Sequence, residues 1–158
     1  MSPALLLRLE MQDLLDRYIA AIDDDRLEDW AAFFTADCLY EIIPRENEEL
    51  GLPAPLIRCD NQAMLRDRVA SLRHANIYEK PAYRHLVSAL VVTASSETEA
   101  TFRANYVVVN TSQEGTSAIY QAGSYASTAV RTPDGWRFSR KRVIYDTARV
   151  QTLLAYPI

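Results

Sequence analysis

The stretch from Ala100 to Asp146 constrains this chain most, because it reads as three long strands joined by two tight turns. The breaks are Ser112-Gln113-Glu114-Gly115 and Thr132-Pro133-Asp134-Gly135, each ending on the glycine that supplies a hairpin with a positive φ. In the first of these strands Phe102, Ala104, Tyr106 and Val108 alternate with Thr101, Arg103, Asn105 and Val107. That period of two belongs to a strand with an apolar face and a polar one. Consecutive strands joined by short turns pair as antiparallel neighbours, so the stretch is a meander. Strands of about 11 to 15 residues are long for a globular sheet, and a sheet that long must twist and curl. Its concave side has to be filled, and the segment before residue 80 supplies helices to fill it.

Ser2-Pro3 opens the first helix, a cap residue followed by a proline in the first turn. Leu7, Met11, Leu14, Leu15, Tyr18, Ile19 and Ile22 then recur at helical spacing and give it one apolar face. Asp23-Asp24-Asp25 ends it. Without the ligand alternation of a metal loop, these three carboxylates read as a solvated turn. Asp25 and Glu28 have the spacing of a capping box for a short helix carrying Trp30, Phe33 and Phe34. Asp37 to Ile43 is the first strand, and the proline-containing, acidic stretch Pro44 to Cys59 reads as an irregular loop. Asp60 is placed to cap a second long helix whose apolar stripe is Met64, Leu65, Val69 and Leu72. Asn76 to Pro81 ends it, and Arg84-His85 leads into a strand from Leu86 to Thr93. Helices followed by a run of antiparallel strands make an α+β fold, a cone of strongly curved sheet wrapped on N-terminal helices, with residues 1–158 expected to form one domain.

Charge and motif content narrow the chemistry. A net charge of −4 opposes a general nucleic-acid binder. No apolar run approaches a membrane span, and the N-terminus lacks the pattern of a secretory leader, so a cytoplasmic location with Cys38 and Cys59 as free thiols is expected. The four glycines are too scattered to cradle a phosphate. Two histidines and two cysteines without paired motifs do not make a Rieske site. A mononuclear iron site would need both His74 and His85, with Glu79 between them.

His85 has two readings: a general base facing an open cone, with Tyr40 or Tyr106 as donors, or a histidine satisfied by a carbonyl or a carboxylate. Tyr78, Tyr83, Tyr145 and Tyr156 are candidates for an interface, whereas Tyr18, Tyr106 and Tyr125 read as core. Arg137, Arg140, Lys141 and Arg142 make the last strand basic. Simple alternation puts Arg140 and Arg142 on one face and Arg137 and Lys141 on the other. One pair must then cope with whatever the strand buries, which fits a strand that meets another subunit.

Several segments together resemble the small (β) subunits of bacterial aromatic ring-hydroxylating dioxygenases. They are Trp30 to Tyr40, Leu65 to Leu72, Ile77-Tyr78-Glu79-Lys80-Pro81 with Tyr83-Arg84-His85, Gly135-Trp136-Arg137-Phe138 through Arg142 to Asp146, and Thr152-Leu153-Leu154. The likeness covers nearly the whole chain and leans toward members acting on aromatic carboxylates such as terephthalate, anthranilate or salicylate. It implies a fold like that of nuclear transport factor 2 and a non-catalytic assembly role in a hexamer of three large (α) and three small chains. The Rieske [2Fe–2S] cluster and the mononuclear Fe(II) would lie in the large subunit, and this chain would hold neither. Arg84, His85, Arg142 and Asp146 match the family pattern as assembly residues. The alternative is a free-standing isomerase or dehydratase of the same fold that uses His85 as general base.

Overall fold

The computed structural model describes residues 1–75, 82–146 and 156–158. Helix α1 spans Pro3–Asp23, and Ser2 caps it by accepting the Leu5 amide through its hydroxyl at 3.3 Å. Its buried stripe, Met11, Leu14, Leu15, Tyr18 and Ile22, follows the expected spacing. A short helix α2 (Leu27–Trp30) and one 3₁₀ turn (Ala31–Phe33) then deliver Trp30 and Phe34 to the interior. The capping box does not form. Arg26 stands at the cap position of α2 with no side-chain cap bond, and Asp25 adopts a left-handed φ of 59°.

Strand β1 (Phe34–Pro44) leads into α3 (Arg45–Glu49), β2 (Ile57–Cys59) and α4 (Gln62–Ala75). The stretch after Pro44 is therefore less irregular than its prolines implied. Pro53 and Pro55 lie beyond α3, so they do not oppose it. Asn61, not Asp60, caps α4: its side-chain oxygen accepts the Met64 amide at 2.9 Å. Leu65 and Val69 are buried as expected, but Met64 lies on the exposed side.

The meander is as the sequence required. Strands β3 (Ala82–Ser95), β4 (Glu99–Thr111), β5 (Ser117–Thr132) and β6 (Gly135–Tyr145) pair consecutively and antiparallel. The sheet order is β2-β1-β6-β5-β4-β3, with β1 joining β6 in parallel. Register irregularities interrupt β3 between Ser88 and Val91 and again between Val92 and Ala94, with Ala89 at a φ of 55°. Such bulges bend strands and sharpen the twist, which lets a sheet of this length curl around α1.

Another bulge corrects the facing of β6. Thr128 pairs with Arg140 and Ala129 with Phe138, so Ser139 is the extra residue. The alternation slips there: Trp136 and Phe138 face inward before it, and Lys141, Val143 and Tyr145 after it. Arg137 therefore does not share a face with Lys141. It turns outward, and its guanidinium donates to the Ala32 carbonyl at 2.6 Å.

Gly123 of β5 leaves no room for a side chain where it pairs with Tyr145 of β6. A Cβ on Gly123 would sit 2.0 Å from the Ile144 carbonyl oxygen and 2.8 Å from the Tyr145 Cα. Both obstacles are backbone and cannot swing aside. Gly123→Ala is expected to lower unfolding free energy by about 2–3 kcal/mol in urea titrations.

Candidate functional site

The inner face of the sheet carries polar groups that an apolar core does not need. Asp23, the last residue of α1, reaches β3, where one carboxylate oxygen accepts the His85 backbone amide at 2.9 Å. The other lies 2.6 Å from His85 Nδ1. With a carboxylate on Nδ1, that nitrogen carries a hydrogen and donates it. Nε2 is buried and makes no hydrogen bond, and the His85 side chain is 1% exposed. Asp23 thus ties the end of α1 to the start of β3 and is not part of a solvated turn. Asp25 is also engaged: Arg73 of α4 donates to its carboxylate at 3.0 Å and to its carbonyl at 2.8 Å. Arg73 also grips Glu28 at 2.7 Å, and these bonds hold the Glu28 carboxyl down at about 2.

Deeper inside, Lys141 is fully buried and its amine makes no hydrogen bond. Aromatic faces surround it: Nζ lies 3.4 Å from the Tyr125 ring centroid, 4.6 Å from Tyr18 and 5.1 Å from Phe138. Tyr125 in turn stacks on Tyr106 at 4.5 Å and 15°. Desolvation pushes the Lys141 ammonium well below its ordinary range, and the ring faces compensate only part of that cost. Desolvation likewise raises the Tyr18, Tyr40 and Tyr125 hydroxyls, so they stay protonated donors. Tyr18 and Tyr40 both donate to the oxygen of Ile158, at 2.8 and 3.4 Å, and the Ile158 amide donates back to Tyr40 at 3.1 Å.

The outer face holds a charge network. Glu41 on β1, 8% exposed, is salt-bridged by Arg58 of β2 and by Arg142 of β6, the latter at 3.1 Å. Arg142 also pairs with Glu48 of α3 at 2.7 Å, and these bonds lower the Glu48 carboxyl and raise the Arg142 guanidinium. Arg45 reaches Asp146 at 3.4 Å. The network fastens α3 and the short β2 to the parallel β1–β6 pair, where little apolar area is available to do so.

The residues singled out from the sequence are distributed accordingly. Arg84 and Arg140 project from the outer face, and Arg142 and Asp146 join the charge network. His85 turns inward. Tyr83, Tyr145 and Tyr156 are nearly buried within this chain, with the Tyr83 ring 5.4 Å from Tyr156 and 5.1 Å from Tyr120. Tyr78 and Glu79 lie outside the described residues. Sequence reading missed Lys141 as an interior group, Arg73 as a clasp and Glu41 as the centre of the network. A lysine two places before an inward-facing valine was the one signal available, and the bulge disguised it.

Among the described residues, no three side chains of His, Cys, Asp or Glu come together as metal ligands. His74 is exposed on α4, and Cys38 and Cys59 are buried thiols, with burial pushing Cys38 up to about 11. No helix among the described residues is long and apolar enough to cross a membrane.

A curved sheet wrapped on helices, with polar groups gathered in its concavity, defines the cone-shaped class whose family model, the SnoaL-like domain, matches residues 3–142. Relatives define the branch more closely. The chain is 58% identical to the anthranilate 1,2-dioxygenase small subunit of Burkholderia cepacia over 149 residues, covering 94% of this chain and 92% of the relative. It is 31% identical to the terephthalate 1,2-dioxygenase terminal oxygenase component subunit beta 2 of Comamonas sp, covering 89% and 92%. The crystal structure of the beta subunit assigned to an aromatic-ring-hydroxylating dioxygenase of Novosphingobium aromaticivorans superposes with a TM-score of 0.91 at 39% identity, covering 99% of this chain and all of that one. This chain belongs to the small (β) subunits of aromatic ring-hydroxylating dioxygenases, within the SnoaL-like domain family.

Two substitutions probe these groupings. Glu41→Gln leaves two guanidinium groups against a neutral amide and is expected to cost about 3 kcal/mol in chemical denaturation. Lys141→Met removes a buried amine without emptying its space and is expected to raise stability by about 1–3 kcal/mol. The folded state holds Lys141 less protonated than the unfolded chain does, so wild-type stability rises with pH below the amine's ordinary value of 10.5. The advantage of Lys141→Met should therefore shrink as pH climbs toward 10.5, measured as paired melting curves across pH.

Proposed function

We propose that this chain is the non-catalytic small subunit of the terminal oxygenase of a Rieske non-heme iron dioxygenase acting on an aromatic carboxylic acid. One observation carries the reading: 58% identity, over more than nine-tenths of both chains, to a protein named as an anthranilate dioxygenase small subunit. The Rieske cluster and the mononuclear iron belong in the large (α) partner. His85 is committed to Asp23 and the two cysteines are buried without further ligands, so the described residues do not fit either group. The expected assembly is an α3β3 hexamer in the cytoplasm, in which this chain meets both the large subunit and other copies of itself.

The outer sheet face suits that role. By register, Arg84, Val109 and Ile119 form one row across β3, β4 and β5, and Leu86 and Val107 share the next. Leu86 and Ile119 are more than half exposed. An apolar patch with a guanidinium beside it is ordinary interface chemistry. Arg140, also outward, offers a second cation to an acidic neighbour. Tyr83, His85, Tyr145 and Tyr156 would then support the assembly from within by holding the sheet in shape. The free-standing isomerase reading is disfavoured by His85 itself, whose Nε2 is sealed from solvent.

Co-expression with the large subunit, followed by native mass spectrometry and iron analysis, tests this. The expected result is a hexamer whose iron follows the large chain, turnover only in the mixed complex, and neither iron nor turnover in this chain alone. Turnover by the isolated chain, abolished by His85→Ala with its oligomeric state intact, would overturn it.

A further inference from the structure

The interior polar atoms are out of balance. Trp30 Nε1, His85 Nε2, Tyr125 Oη, Ser127 Oγ and Lys141 Nζ are all buried, and none makes a hydrogen bond. Three of them adjoin: Ser127 pairs with Lys141 across β5 and β6, and Lys141 lies on the Tyr125 face, while the Asp23 carboxylate that holds His85 is near enough to raise the Tyr125 hydroxyl. Buried polar groups are normally satisfied, and several unsatisfied ones facing a common interior mark the place of an absent partner. Among the described residues no carboxylate pairs with Lys141, so an anionic partner is what would restore the ammonium form that burial disfavours.

Ile158 shows what the interior accepts. It is 1% exposed, and its oxygen receives the hydroxyls of both Tyr18 and Tyr40. Two phenol donors on one acceptor oxygen, in an aromatic box with an amine on the shared Tyr18 ring, suit one kind of guest. It is an apolar body ending in an anionic oxygen pair.

We propose that the concavity of this subunit is a binding site for a small aromatic carboxylate. Tyr18 and Tyr40 donate to the carboxylate, Lys141 supplies the counter-charge, and Ile158 fills the site in its absence. The guest enters by displacing Ile158, so affinity is reduced by competition with the chain's own residue. The assignment goes beyond the assembly role and is a property of the isolated chain, so its failure would leave that role untouched.

The test is fluorine NMR on the purified full chain with 4-fluorobenzoate, using 4-fluorotoluene as the uncharged control. Saturable binding of the benzoate is expected, weakened at least about tenfold by Lys141→Met and strengthened by Ile158→Gly, while the toluene control responds little to Lys141→Met. Labelling lysine with nitrogen-15 reads the same event in the unmutated chain, since the Lys141 Nζ resonance should move on addition of benzoate. Absence of saturable binding up to about 10 mM in both wild type and Ile158→Gly would overturn the proposal. So would equal affinity in Lys141→Met, or an unmoved Lys141 resonance at saturation. A crystal grown with benzoate that shows only waters against Lys141 and Tyr125 would overturn it as well.

Discussion

Tyr18 is where the architecture closes. A bent sheet has an inside that water must leave, and the apolar stripe of α1 is what replaces the water. From the middle of that stripe Tyr18 meets Phe138 edge-on at 5.4 Å and Phe34 at 6.1 Å, joining the helix to the two strands that pair in parallel. Its hydroxyl holds Ile158 at 2.8 Å, and its ring forms one wall around Lys141. One side chain therefore connects the first helix, β1, β6 and the last described residues. Without it the concave side would have an apolar rim and no centre.

The outer side is organised differently. Where β1 and β6 run parallel, the sheet is extended only by the three residues of β2, and no helix there is long enough to add much apolar burial. Charges take over. Glu41 sits between two guanidinium groups, and Arg142 shares itself between Glu41 and Glu48. Such a network holds geometry more than it adds stability, because most of what the ions gain from each other offsets their lost hydration. Holding geometry is the property required of a subunit whose outside is to be matched by another chain.

Much of this was legible in the sequence, for definite physical reasons. The meander could be read because its last two turns are each marked by a glycine at a left-handed position, Gly115 and Gly135, and because alternation in β4 runs from Ala100 to Val108. Helix α1 could be read from its stripe and from its Ser2-Pro3 opening. What escaped reading depends on contacts between residues far apart in the chain. Asp23 and Asp25 look like a solvated turn until His85 and Arg73, more than forty residues away, arrive to bind them. Lys141 looks like one more surface cation because a single extra residue, Ser139, shifts the phase of β6, and no local signal announces a bulge. Tyr83, Tyr145 and Tyr156 were named as interface candidates from composition, which carries no information on packing; the structure places all three nearly buried within the chain.

The two interruptions of β3 carry a further consequence. This strand is an edge of the sheet, and a long uninterrupted edge invites a neighbour to add a strand to it. The left-handed turn at Ala89 and the slips before Val91 and Ala94 break its row of free amides and carbonyls into short runs. Copies of the chain are thereby steered away from zipping into continuous ribbons. Whatever gathers around this sheet has to be recognised through side chains, so mis-stacking during synthesis is discouraged by the shape of the backbone itself.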